Sequence, residues 1–363
     1  VDATHQHGQS HASDRWLLSG KTTEMTVWWL LLAVIVASWG LTLVLRRYAL
    51  AKSLIDIPNE RSSHSVPTPR GGGVAIVGSF LLALPALVAL DLLSPAALCG
   101  LFGSGLLVAV IGFADDHGHI AARWRLLGHF IAAAWVLYWL NGLPPIELFG
   151  VTVDLGWFGD ALALVYLVWM LNLYNFMDGI DGLASAEAIS VCLGICLVYW
   201  FAGFPELVWV PLLLASAVAG FLFWNFPPAR IFMGDAGSGF LGVVLGALAI
   251  HATWTAPQLL WSWLILLGVF IVDSTWTLIM RLIRGDKIYQ AHRSHAYQQA
   301  SRFFKGHRII TVSIVAINVG WLLPLAMWVG AGGSWLIGVI VAYAPLCWVA
   351  WRFGAGKAEC EEL

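Results

Sequence analysis

Two adjacent carboxylates, Asp115 and Asp116, follow a long apolar run in GFADDHGHIAARWR, residues 112–125. Paired acids there repel each other and lose solvation, a cost that a divalent cation, its phosphate ligand or an arginine offsets. A solvated helix end is the plain structural alternative. In NLYNFMDGIDGL, residues 172–183, Asn172 and Asn175 stand at i, i+3 ahead of Asp178 and Asp181. Amides and carboxylates can thus line one wall of a pocket, and Gly179 and Gly182 let the backbone approach a ligand. Two capping aspartates are the alternative here, although two Asn and interleaved glycines exceed what a cap needs.

Asp235 lies in FPPARIFMGDAGSGF, residues 226–240, among Gly234, Gly237 and Gly239 at the opening of an apolar run. Helix N-terminal amides favour anions, and a carboxylate beside them suits a phosphate-bridging Mg2+, with Mn2+ as the alternative ion. His292, Arg293 and His295 occupy KIYQAHRSHAYQ, residues 287–298, in a loop rich in Lys and Arg. Such groups bind phosphate through charge-assisted hydrogen bonds, and basic loops also attract anionic lipid headgroups. Arg70 precedes three glycines in DIPNERSSHSVPTPRGGG, residues 56–73, and is a further phosphate ligand by type. Glu187 and Asp273 fall inside apolar runs. They are functional by default or paired with a cytoplasmic Arg.

Elements that could position these residues must be helices in a membrane. Of 363 residues, 60% are hydrophobic and 11% charged, and the mean hydropathy is +0.80, which excludes a soluble domain. The 21 Trp and 37 Gly suit the same class. Apolar runs near 26–45, 72–93, 95–114, 126–141, 158–174, 184–203, 207–225, 237–256, 259–281, 309–329 and 332–353 give an all-α polytopic protein of eleven helices. With that count, all 17 Lys and Arg after Met25 fall on one side. Cytoplasmic loops retain basic residues, so the N-terminus is expected outside and the C-terminus in the cytoplasm.

Residues 1–24 are read as a non-native or disordered extension, and 25–363 as a single transmembrane domain. The alternation in PIELFGVTVDL, residues 145–155, suggests a short external hairpin or interfacial segment. Five cysteines without a CxxC pair argue against a disulfide framework or a zinc site. A transporter would also carry intramembrane acids and glycines. It would place them near the midplane, whereas most acids here gather at one membrane face.

Together the five polar segments resemble those of the polyprenyl-phosphate N-acetylhexosamine-1-phosphate transferases, a family that includes phospho-N-acetylmuramoyl-pentapeptide transferase. The resemblance implies an inner-membrane enzyme, Mg2+ as cofactor, undecaprenyl phosphate and a UDP-N-acetylhexosamine as substrates, and no nucleic-acid partner. A homodimer is left open. It further implies that Asp115 positions or deprotonates the lipid phosphate beside Asp116, and that Asp115 and Asp235 serve the metal. Asp178 is placed in the catalytic group. Asn172, Asn175 and Asp181 would bind substrate, with Asp181 contributing to nucleotide recognition, Phe232 would stack on uracil, and His292, Arg293 and His295 would contact the sugar phosphate. The muramoyl branch shows DDxxK and three consecutive His, whereas this chain reads DDHGH and AHRSH. The sequence therefore looks closer to the branch that starts O-antigen, lipopolysaccharide or related surface glycans with GlcNAc, FucNAc or QuiNAc.

Overall fold

The computed structural model describes residues 4–58, 66–118, 120–148, 151–286 and 292–357, with side chains from residue 23 onward except that of Leu148. The expected 1–24 extension falls largely on residues 1–22, whose side chains lie outside that set. Parts of the first and fifth polar segments, 59–65 and 287–291, lie outside it as well.

In chain order, α1 (Thr4–Ala51) leads through the antiparallel ribbon β1 (Ile55–Asp56) and β2 (Thr68–Pro69) to α2 (Val74–Ala89). Then come α3 (Pro95–His117), α4 (Ala122–Trp139) and the hairpin β3 (Ile146–Leu148) and β4 (Val151–Val153). Next are α5 (Gly156–Met177), α6 (Leu183–Ala202), α7 (Trp209–Asn225), α8 (Asp235–Thr255), α9 (Gln258–Leu266) and α10 (Gly268–Arg284). The chain closes with α11 (Ala296–Phe303), α12 (His307–Ile317), α13 (Leu323–Gly330) and α14 (Trp335–Arg352). The hairpin stands where the 145–155 alternation placed it, with Ile146 opposite Val153.

All eleven apolar runs are helical, but they do not all make single spans. Among the described residues, eight helices are long and apolar enough to cross a membrane, or nine with one bent pair counted as a span. The count of eleven is not reached on these grounds. At 16 residues α2 is short for the purpose, and α4 carries Arg123, Arg125 and His129. The expected ninth helix, 259–281, is instead α9 and α10, bent by 73°. Gly268 sits at the break, a residue type that kinks helices. Tyr343 Oη donates to Leu264 O at 2.6 Å, partnering a carbonyl beside the break. Between α12 and α13, Asn318–Leu322 forms a π turn; Pro324 lacks the N–H that a regular continuation needs.

At the centre stands α8, 94% buried in its apolar window, with α3 and α5 packed along it. Small residues make this possible. A Cβ at Gly242 would lie 2.5 Å from Met170 O and 2.7 Å from Leu171 Cα, so α5 and α8 meet backbone to backbone as small residues permit in membranes. The start of α8 is thereby fixed against α3 and α5, whose polar ends lie at the same level.

Candidate active site

Asp116 organises the site from the last turn of α3. Its Oδ1 accepts Asp235 N at 3.3 Å and its Oδ2 accepts Ala236 N at 3.5 Å, so it caps α8 where orphan amides and the helix dipole favour a negative charge. Gly234 has φ +78°, and a Cβ there would lie 2.6 Å from Asp116 Oδ2. Only glycine lets the chain turn into α8 beneath that carboxylate. Arg70 Nη2 donates to Asp116 O at 2.6 Å, and Gly72 and Gly73 donate to Phe232 O and Met233 O at 2.9 and 2.8 Å. The RGGG segment is therefore clamped to the loop before α8.

Asp115 points elsewhere. Its Oδ1 accepts Ile120 N at 2.8 Å, and its Oδ2 pairs with Arg125 of α4. The same Arg125 Nη1 lies 3.4 Å from Asp235 Oδ2, while Asn175 Nδ2 donates to Asp235 Oδ1 at 3.0 Å and to Ser238 Oγ at 3.1 Å. Helices α3, α4, α5 and α8 thus each contribute a group to one contact set. Asp178 caps the end of α5, near enough to Asp235, Asp116 and Asp181 to feel their charge. Burial first, then the charges of Asp235, Asp116 and Asp181, push its carboxyl well above the ordinary carboxylate range. Arg125 offsets part of the negative charge gathered here. Among the described residues, no three His, Cys, Asp or Glu side chains are grouped so as to hold a metal by themselves.

Asp181 and Asn172, expected to bind substrate, have protein partners as Asn175 does. Asp181 Oδ2 accepts Ala229 N at 3.0 Å, its Oδ1 lies 3.2 Å from His307 Nδ1, and its carbonyl accepts Thr311 Oγ1 at 2.9 Å. It ties the DGIDG turn to the loop before α8 and to α12. Asn172 Nδ2 donates to Val168 O of its own helix at 2.7 Å. Phe232 is half-buried in a backbone ladder, its N–H donating to Pro69 O at 2.8 Å.

The histidine loop forms a second cluster. Asp273 of α10 accepts Ala296 N and Tyr297 N at 2.9 Å each and lies 3.3 Å from His295 Nδ1. It caps α11 as it orients His295, whose ring stacks between His292 and Tyr297 at centroid distances of 4.9 and 5.7 Å. Arg293 is half-buried, and its carbonyl accepts Arg302 Nη2 at 2.9 Å. Tyr297 Oη donates to Phe176 O at 3.0 Å and abuts Gly179, which docks this cluster beside Asp178. Asp273→Asn is expected to lower stability by about 1–2 kcal/mol and to slow turnover. Thermal melting in detergent measures the first and steady-state kinetics the second.

His292 Nδ1 accepts Ser294 N at 3.3 Å, which leaves Nε2 as the protonated nitrogen of a neutral ring. Burial, then His295 and Arg281, push its pKa down to about 3 from 6.5, against Asp273 and Asp286. A depressed histidine stabilises the fold fully above its unfolded pKa. Its contribution is lost as pH falls from 6.5 towards 3. Amide-exchange protection factors over 292–297 are therefore expected to be flat above that window and to decline within it.

Arg125, Asp273 and His307 emerge as site-building residues that sequence reasoning had left out of the site. Asp273 carried a signal, an acid inside an apolar run, but its partners proved to be His295 and a helix N-terminus. Glu187, the other such acid, accepts Asn318 Nδ2 at 2.6 Å beside the π turn. Arg125 stands ten residues from Asp115, a spacing without meaning until α4 folds back on α3.

Known proteins share this chain's pattern. Residues 98–253 match glycosyl transferase family 4. A "Probable undecaprenyl-phosphate N-acetylglucosaminyl 1-phosphate transferase" of Bacillus subtilis (strain 168) is 28% identical over 286 residues, 77% of this chain and 78% of that one. A decaprenyl-phosphate N-acetylglucosaminephosphotransferase of Mycolicibacterium smegmatis is 31% identical over 301 residues, 72% of each. A phospho-N-acetylmuramoyl-pentapeptide-transferase of Pelotomaculum thermopropionicum is 30% identical over 298 residues, 74% of this chain and 86% of that one. With its polar helix ends gathered into one cluster and relatives matched over most of their length, the chain belongs to glycosyl transferase family 4, as a membrane-embedded polyprenyl-phosphate N-acetylhexosamine-1-phosphate transferase.

Proposed function

We propose that this enzyme transfers N-acetylglucosamine 1-phosphate, or a 6-deoxy N-acetylhexosamine 1-phosphate, from its UDP-sugar to undecaprenyl phosphate at the cytoplasmic face. The observation that carries the reading is the meeting of Asp115, Arg125, Asn175 and Asp235 from four helix ends. The names of the GlcNAc-transferring relatives favour that sugar. The one-sided Lys and Arg distribution favours the cytoplasmic face, with eleven crossings and an outside N-terminus. The departures at DDHGH and AHRSH favour initiation of O-antigen or a related surface glycan over peptidoglycan synthesis.

An oxygen-only group with one or two carboxylates suits Mg2+, which keeps waters and takes further oxygens from phosphates. Asp235 and Asp115 would hold it. When bound, the ion neutralises phosphate charge. Asp115 orients the lipid phosphate, whose oxygen attacks the phosphorus that carries the sugar. The bond from that phosphorus to the bridging oxygen breaks, and UMP leaves with the electron pair. Arg125, Arg70 and the neutral His292 supply donors to phosphate oxygens, since phosphoryl transfer relies on positioning and charge neutralisation. Asp181, through Ala229 and His307, holds the loop that carries Phe232 towards the base.

Purified enzyme is to be incubated with undecaprenyl phosphate and a panel of UDP-N-acetylhexosamines, and the lipid product weighed by mass spectrometry. Formation of one undecaprenyl-diphosphate sugar with stoichiometric UMP is expected. Product from UDP-N-acetylmuramoyl-pentapeptide alone would transfer the protein to the peptidoglycan branch.

A further inference from the structure

His129 of α4 is 8% exposed, and its Nδ1 has no hydrogen-bond partner among the described residues. It lines a 20 Å3 cavity together with Arg125, Asn172, Asn175, Asp235 and Gly239. The cavity lies at the junction of α3, α4, α5 and α8, bordered by the Arg125, Asn175 and Asp235 side chains that contact one another. A ring nitrogen buried without a partner loses its hydration uncompensated. A polar cavity above about 10–15 Å3 with two to four polar partners is suited to one water.

The hydrogen inventory closes around such a molecule. Asn172 Nδ2 is committed to Val168 O, and Asn175 Nδ2 to Asp235 and Ser238. Both amide oxygens are left as acceptors with no donor among the described residues. A water that accepts from His129 Nδ1–H can give one hydrogen to each. We propose that this cavity is a built site for a single water held by His129, Asn172 and Asn175, and that His129 is thereby a positioning residue for the transfer reaction. Its effect runs through Asn175. With Oδ1 pinned by the water, the amide keeps Nδ2 on Asp235; a flip would turn oxygen towards that carboxylate.

The role in the reaction rests on the transferase reading, whereas the water site does not. His129→Leu removes the ring nitrogens at similar volume, and His129→Gln restores a donor and an acceptor. In purified protein, H129L is expected to lower kcat roughly 10-fold with little change in KM, and to weaken Mn2+ binding read by paramagnetic resonance, as losses outside the first ligand set do. H129Q is expected to recover most of both. Wild-type behaviour of H129L, or a folded H129Q as impaired as H129L, overturns the positioning role. Should H129L fail to fold, a high-resolution structure of the unmodified protein decides. Ordered water between His129 and the two asparagines supports the site, and a dry cavity removes it. Mn2+ binding and the water need no sugar nucleotide, so they remain readable if no UDP-sugar proves to be a substrate.

Discussion

Asp235→Asn is expected to cut kcat by about 100- to 1,000-fold, the scale seen when one preorganised charge-stabilising group is lost from a phosphoryl or acyl transfer site. The substitution is nearly isosteric. The Asp235 backbone N–H still reaches Asp116 Oδ1, so α8 keeps its cap. The amide oxygen can replace Oδ1 as acceptor for Asn175 Nδ2, but an amide in place of Oδ2 offers Arg125 no charge. Any metal site there loses a carboxylate as well. UMP release titrated against Mg2+ should show a raised half-saturating concentration along with the lower plateau, while the melting temperature in detergent stays near that of the parent. Unaltered Mg2+-dependent release would remove Asp235 from the metal site.

Gly112→Ala is expected to be equally damaging by a different route. A Cβ at residue 112 would lie 2.5 Å from the Asp235 carbonyl carbon and 2.6 Å from Ala236 Cα. These are backbone atoms of the central helix and cannot rotate away. Overpacking of this kind costs about 1–3 kcal/mol, and the relief available is for α3 to withdraw from α8. That movement carries Asp115 and Asp116 away from Arg125 and the α8 amides together. Gly118→Ala is the matched control, because its Cβ would meet only Ala114 O at 4.0 Å. Melting temperature and kcat should both fall for G112A and hold for G118A. Equal behaviour of the two would mean that the close approach of α3 and α8 is not needed.

Much of this site was legible because its chemistry sits at helix ends, where sequence marks both the apolar run and the polar residues that stop it. Asp115, Asp116, Asn175 and Asp235 stand out that way, and they do converge. What sequence cannot carry is which helix faces which. Arg125 reads as one more basic residue after the DD pair until α4 packs on α3 and α5. Asp181 reads as a pocket-lining or capping carboxylate until Ala229 and His307 close on it from 48 and 126 residues away. The bend between α9 and α10 was hidden for a related reason. Gly268 interrupts neither hydropathy nor polarity, so the run 259–281 looks continuous while its backbone turns by 73°. The hairpin at 146–153 was readable because its strands alternate outside any helical period.

The burial of α8 has a consequence for how the enzyme sits among lipids. Its window is 94% buried, whereas those of α1 and α14 are 28% and 22% buried. The outer helices therefore meet the acyl chains and must tilt when the bilayer thins or thickens. The central helix has almost no lipid boundary of its own. The depth of the acid cluster is consequently set by the protein's inner ring of helices, and turnover should respond less to bilayer thickness than the tilt of α1 or α14 does.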